Sequence, residues 1–204
     1  MKTSLPLVTA LCGFTLFLLS NLCAAETIVM VRHAEKPDGG LGQLSCQGLN
    51  RSLALPDVLL GKFGKPAAIF APNPGIQKAD QGQKYNYIRP LATIEPTAIR
   101  SGLPVNTQWG FTDIGALKAA LLSKDFQNKT VFVAWEHQLL EQLARDMVRQ
   151  LGADATVVPT WDGKDFDSIY VINITQDSDG NEYVSFHADH QGLNGLSTQC
   201  PNNP

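Results

Sequence analysis

Two histidines and two arginines have the types and settings that phosphorus chemistry asks for. Arg32 and His33 close an apolar run, Thr27-Ile28-Val29-Met30-Val31, and are followed by Ala34-Glu35-Lys36-Pro37. The run reads as a buried strand, which delivers both side chains to a loop at its C-terminal end. In α/β proteins that edge is where ligands bind. An imidazole beside a fixed guanidinium is disfavoured as a cation, so it stays neutral and nucleophilic. Arg89 opens a second candidate helix, and His137 follows another apolar run, Thr130-Val131-Phe132-Val133-Ala134. Arginine gives forked hydrogen bonds to phosphate oxygens, a geometry lysine lacks. The set fits phosphoryl transfer: His33 attacks in line, and Arg32, Arg89 and His137 hold the equatorial oxygens. The charge comes from arginine, so the scheme needs no metal and no cofactor. The plainer alternative for Arg32 and His33 is a polar cap on a strand end.

Elements able to position these residues alternate along the chain. A strand over 27–32 leads through a Gly-containing loop to a helix capped by Ser45 and running to Phe63. Leu49, Leu53, Leu55 and Leu59 form its expected apolar side, and Pro56 is expected to kink or divide it. A short strand, Ala67–Ala71, stops at Pro72. Residues 72–87 look irregular and long for a plain connection, as functional loops often do. Tyr85 and Tyr87 there are either a substrate wall or anchors of that loop. Helices are expected over 89–100, from Thr112 or Asp113 to Leu122, and over 137–150. Further strands are expected at 103–105, 130–134, 169–174 and 183–186, the last after a turn at Asp179-Gly180. Alternating strands and helices predict an α/β fold, a three-layer sandwich with a mostly parallel central sheet and helices on both faces.

Several strings resemble the histidine phosphatase superfamily, the phosphoglycerate-mutase-like enzymes. Arg32-His33-Ala34-Glu35 resembles its first histidine signature, and Leu44-Ser45-Cys46-Gln47-Gly48 its Leu-Thr-x-x-Gly at the first helix. Phe70-Ala71-Pro72 resembles the end of its second strand, and Arg89-Pro90-Leu91-Ala92-Thr93 its second arginine motif. Val133-Ala134-Trp135-Glu136-His137 resembles the strand that ends in its second histidine. The resemblance implies that His33 becomes transiently phosphorylated. It also exposes a departure. Residues 106–113 lack the Glu that one branch uses as proton donor, and Gln138 stands where another branch has Asp. Glu136 is then the first candidate for the acid, with Asp113 and Glu35 behind it. Its alternative role is to orient His137 or Arg89.

The 204-residue chain carries a formal charge of −3, with 16 Lys and Arg against 19 Asp and Glu. That balance argues against nonspecific nucleic-acid binding, so any positive field is local. Lys2, the apolar stretch within 5–19 and the small residues up to Ala25 predict a signal peptide over 1–25, leaving a domain over 26–204. The expected location is periplasmic or secreted, with no stable membrane insertion after cleavage. A lipid-attachment role for Cys23 is disfavoured by Leu22. Cys46 and Cys200 then remain, and an even pair in an exported protein predicts a disulfide, the alternative being two free thiols. His187 and His190 could suggest a metal site, but alternation puts them on different sides of a strand. Trp109, Trp135 and Trp161 are packing residues, with Trp135 also a candidate for the pocket wall. Asn50, Asn128 and Asn173 begin glycosylation sequons. The expected activity is phosphate removal from a small phosphorylated molecule, an envelope phosphate or a phosphoprotein side chain. The rival is a phosphate-binding protein of the same fold with little turnover.

Overall fold

The computed structural model describes residues 25–201; the expected signal peptide lies almost wholly outside the described residues. The central sheet has six strands in the order β5-β2-β6-β1-β7-β8. Their ranges are β1 Ala25–Arg32, β2 Ala68–Phe70, β5 Val105–Asn106, β6 Thr130–Trp135, β7 Ser168–Gln176 and β8 Glu182–His190. β1, β6, β2 and β5 run parallel, while β7 is antiparallel to β1 and to β8. The expected mostly parallel α/β sandwich is borne out.

The central strands are apolar throughout because both their faces are covered. Val29, Val31, Ile69, Phe132 and Ala134 face α1 (Cys46–Phe63) and α2 (Arg89–Ser101), meeting Leu55, Leu59, Ile94 and Ala98. Ile28, Met30, Phe70, Val131, Val133 and Trp135 face α3 (Ile114–Leu121) and α4 (His137–Gln150), meeting Leu117, Leu140, Leu143 and Met147. Trp135 is wholly buried and donates its indole N–H to the Phe111 carbonyl at 2.7 Å, so it packs the core and does not line the pocket.

Ser45 caps α1 as expected, accepting from the Gly48 N–H at 3.1 Å. Pro56 lies inside α1 without dividing it, the helix being continuous over 46–63. The buried side differs from the expected one. Leu49 and Leu53 are exposed, while Gly48, Arg51, Ser52, Leu55, Pro56 and Leu59 turn inward. An arginine lies inside because acids and amides wait there to receive it.

The stretch over 72–87 is not irregular. It holds a hairpin, β3 (Gln77–Asp80) and β4 (Gln83–Asn86), joined by Gln81-Gly82. Both turn residues have positive φ, 49° and 79°, as a two-residue hairpin loop requires. At the far end of the chain, Cys46 and Cys200 form the expected disulfide, with Cα atoms 4.5 Å apart.

Candidate active site

The C-terminal ends of β1 and β6 sit side by side, because Arg32 registers with Trp135. The pairing carries one residue further, with the His33 N–H donating to the Trp135 carbonyl at 2.9 Å. Adjacent strand ends thus hold Arg32 and His33 beside Glu136 and His137. α2 adds Arg89 from the neighbouring layer. Thr93 fixes that helix to the loop that follows His33: its hydroxyl accepts from the Ala34 N–H at 2.9 Å and donates to the Arg89 carbonyl at 2.8 Å. Gly48 lets the first turn of α1 close on the same loop, since a Cβ there would lie 2.3 Å from the Glu35 carbonyl oxygen.

His33 is almost completely buried. Its Nδ1 lies 2.8 Å from the Ala34 carbonyl oxygen, a partner that can only accept. The proton therefore sits on Nδ1, and Nε2 keeps its lone pair. Burial, assisted by Arg89 and Arg32, brings the pKa down to about 3, although the Ala34 carbonyl and Glu136 pull the other way. The ring is neutral at any ordinary pH.

Arg32 is buried and lies 3.9 Å over the Phe166 ring. One terminal nitrogen donates to the carbonyls of Asp165 at 2.8 Å and Gly163 at 3.0 Å, with Asp162 at 3.4 Å. Burial lowers its pKa to about 10, so it remains charged at neutral pH. Arg89 is equally buried; its Nη1 donates to Asp80 at 2.5 Å and to the Gly40 carbonyl at 3.3 Å. Among the described residues, both arginines keep a buried Nε–H with no hydrogen-bond partner. Buried donors are rarely left so, and a phosphate oxygen would complete them.

Glu136 caps α4, accepting the Leu139 N–H at 3.0 Å, and its other oxygen lies 2.8 Å from His137 Nδ1. One helix N–H that could have served an anion is thus already taken. Burial opposes ionisation of Glu136, but His137, the Lys78 ammonium and the Leu139 N–H outweigh it and hold the carboxyl down to about 2. It is a carboxylate in the free protein, anchored at both oxygens. The reserve candidates are committed elsewhere. Glu35 takes Arg51 through both oxygens at 2.8–3.0 Å, and Asp113 accepts the Gly110 N–H before α3.

Other contributors carried no periodicity or motif that would single them out. Asp80, on the hairpin, bridges Arg89 and Lys36, which together hold its carboxyl below the usual range despite burial. The loop before β7 supplies Phe166 and the carbonyls that grip Arg32. Trp161 anchors that loop, with its indole N–H on the Asp165 carbonyl at 3.1 Å. Phe166 also walls an open pocket of about 460 Å³, shared with Glu35, Lys36 and Ser45; Arg32, His33, Arg89 and His137 do not line it. His187 and His190 are both exposed on β8, and among the described residues no three metal-binding side chains gather.

No family model matches the chain, and no curated protein matches its sequence. Solved structures do resemble it. A protein assigned as phosphohistidine phosphatase SixA, from Nakamurella multipartitia, superposes with a TM-score of 0.51 at 17% identity, covering 81% of this chain and 96% of that one. Two others have lower TM-scores. A phosphoserine phosphatase mutant of Entamoeba histolytica, in complex with phosphoserine, gives 0.47 at 10% identity, covering 82% and 98%. A protein assigned as SixA from Agrobacterium tumefaciens gives 0.44 at 13% identity, covering 80% and 97%. The chain shares the fold of the first of these, the protein assigned as SixA from Nakamurella multipartitia.

Proposed function

We propose that this protein is a metal-independent phosphatase that works through a phosphohistidine at His33. One observation carries the reading: a buried, neutral His33 with Nε2 free, beside two arginines that each keep an unpartnered buried N–H. Nε2 attacks phosphorus while the bond to the leaving oxygen or nitrogen breaks, and the leaving group takes that electron pair and a proton. Water then attacks the phosphohistidine and loses a proton. The P–N bond breaks, and neutral His33 and inorganic phosphate return. Arg32, Arg89 and His137 stabilise the charge on the equatorial oxygens in both steps.

Glu136 is assigned here to orienting His137, not to donating a proton. A group held ionised down to about pH 2 is a poor acid near neutrality. The substrates favoured are those whose leaving group departs with little protonation, such as a phosphohistidine, an anhydride or an activated ester. Export, read from residues 1–25, makes a periplasmic or extracellular molecule the natural target. The same lack of a strong acid supports the second reading, a phosphate-binding protein with little turnover. Assay of the purified protein with 4-nitrophenyl phosphate separates the two. Turnover that survives a chelator and is blocked by vanadate is expected. Phosphate binding without turnover would establish the second reading, and activity lost to chelator and restored by metal would overturn the account of the charge.

A further inference from the structure

Removal of phosphate from an ordinary ester needs a proton at the leaving oxygen in the first step and a base for water in the second, and Glu136 is too strongly ionised to give that proton. The β3–β4 hairpin brings a group that can. Lys78, in β3, is half-buried; its Nζ lies 5.0 Å from the centre of the Tyr87 ring and 5.2 Å from that of Phe111. The same Tyr87 ring lies 6.0 Å from the His33 ring, so the ammonium and the nucleophile border one side chain. Among the described residues Lys78 makes no hydrogen bond or ion pair; its contacts are with the two rings. The carboxylates within its electrostatic reach have other partners: Asp80 holds Arg89 and Lys36, and Glu136 holds His137 and the first turn of α4.

The hairpin that carries Lys78 is pinned. Two residues on, Asp80 bonds Arg89 at 2.5 Å and Lys36 at 2.8 Å. Gly42, at a φ of 69°, lets β4 approach; a Cβ there would lie 2.1 Å from the Asn86 carbonyl oxygen. The backbone is held, while the four-carbon stem lets the ammonium swing from the rings to a departing atom. The groups around it make it a better acid than an ordinary lysine. Burial lowers its pKa, and Arg89 and Lys36 lower it further, against the pull of Glu136 and Asp80. An ammonium shifted toward neutrality gives up its proton more readily, and the amine it leaves can take one back. Tyr87 is no rival donor, because burial pushes its phenol above its ordinary value.

We propose that Lys78 is the proton donor to the leaving atom and then the base for the attacking water. As His33 Nε2 bonds to phosphorus, the bond from phosphorus to the leaving oxygen breaks. That oxygen takes the electron pair and a proton from the Lys78 ammonium, so an alcohol departs and a neutral amine remains. The amine accepts a proton from the water that attacks phosphorus. The P–N bond returns its electron pair to Nε2, phosphate is released and the ammonium is restored. This inference rests on the phosphatase reading above and extends it to esters whose leaving group cannot depart as an anion.

The test compares ethyl phosphate, whose leaving alkoxide needs a proton, with 4-nitrophenyl phosphate, whose leaving phenolate does not. Lys78→Met should lower kcat/KM by about 100- to 10,000-fold on ethyl phosphate and by no more than about tenfold on 4-nitrophenyl phosphate. Lys78→Arg keeps a cation that does not release its proton near neutrality, so it should retain the activated ester and fail on the alkyl one. Wild-type kcat/KM on ethyl phosphate should fall on the alkaline side as Lys78 loses its proton, and fall far less on 4-nitrophenyl phosphate. Equal losses on the two esters in Lys78→Met, or an alkyl ester rescued by Lys78→Arg, would overturn the assignment by showing a charge and not a proton. Wild-type turnover of 4-nitrophenyl phosphate with none of ethyl phosphate would also overturn it, while leaving the phosphatase reading in place. Absence of turnover on both would refute that reading itself. If Lys78→Met does not fold, Lys78→Arg and the wild-type pH profile decide by themselves.

Discussion

Arg51 and Arg32 are buried to the same degree and finished in opposite ways. Arg51, on α1, spends all three of its nitrogens on protein. It grips Glu35 through both carboxylate oxygens and reaches Asp167, Gln191 and Asn194. Asp167 in turn receives the N–H groups of Gly192 and Leu193. The cluster draws the loop after His33, the start of β7 and the C-terminal tail onto one helix, close to where Cys46 holds Cys200. Arg32, one strand end away, is held by backbone carbonyls through a single nitrogen and leaves its Nε–H unfilled. A saturated guanidinium is a tie between parts of the chain. An unsaturated one, fixed by neutral acceptors that leave its charge uncancelled, is prepared for an anion from outside. Sequence alone made both simply arginine; the difference lies in what surrounds them.

Exchanging the two residues for a side chain of similar length tests that contrast. Arg51→Met should destabilise by about 3–5 kcal/mol, because Glu35 and Asp167 stay buried without their cation. Urea unfolding reads it. Arg32→Met should cost clearly less stability and lower kcat/KM by about 100- to 1,000-fold, as loss of one electrostatic donor does. Inorganic phosphate should raise the melting temperature of wild type and fail to do so in Arg32→Met. Equal stability losses in both variants would break the distinction.

Glu136→Gln sharpens the same point for a carboxylate. As a positioning residue it should cost about tenfold, equally for 4-nitrophenyl phosphate and for an alkyl phosphate. A general acid would cost about 100- to 10,000-fold, confined to the alkyl ester. Unequal losses of that kind would return Glu136 to the proton-donor role.

The last prediction concerns stability against pH. His33 titrates at about 3 in the folded protein and near its ordinary 6.5 when unfolded. Above pH 6.5 neither state binds the proton and nothing is lost. As pH falls from 6.5 toward 3, the unfolded chain takes up a proton that the buried ring refuses, so stability declines. His33→Gln should flatten that decline between pH 6.5 and 5, seen in melting temperatures across the range. A wild-type curve that is already flat there would show that His33 is not held neutral by burial.

The residues at the ends of β1 and β6 were legible because their runs are apolar on both faces and end in polar chemistry. The whole α/β order followed from such runs, down to the Ser45 cap. The hairpin was not legible. Gln77 to Asn86 is polar with little apolar alternation, and its fold depends on tertiary ties, Asp80 to Arg89 above all. Lys78 and Asp80 were therefore missed as site residues. Leu49 and Leu53 misled for the converse reason. Helical spacing favoured an apolar side through them, but a polar network that no local pattern encodes turned Arg51 inward. Phe166 and the carbonyls around Arg32 lie in a loop, where contacts and not periodicity decide placement.

Rapid-quench trapping of the phosphorylated protein during turnover decides whether His33 carries the phosphoryl group. An acid-labile phosphohistidine mapped to His33 is expected, absent in His33→Ala although that variant keeps its fold. A phosphoenzyme that still forms in His33→Ala, or one mapped to His137, would contradict it.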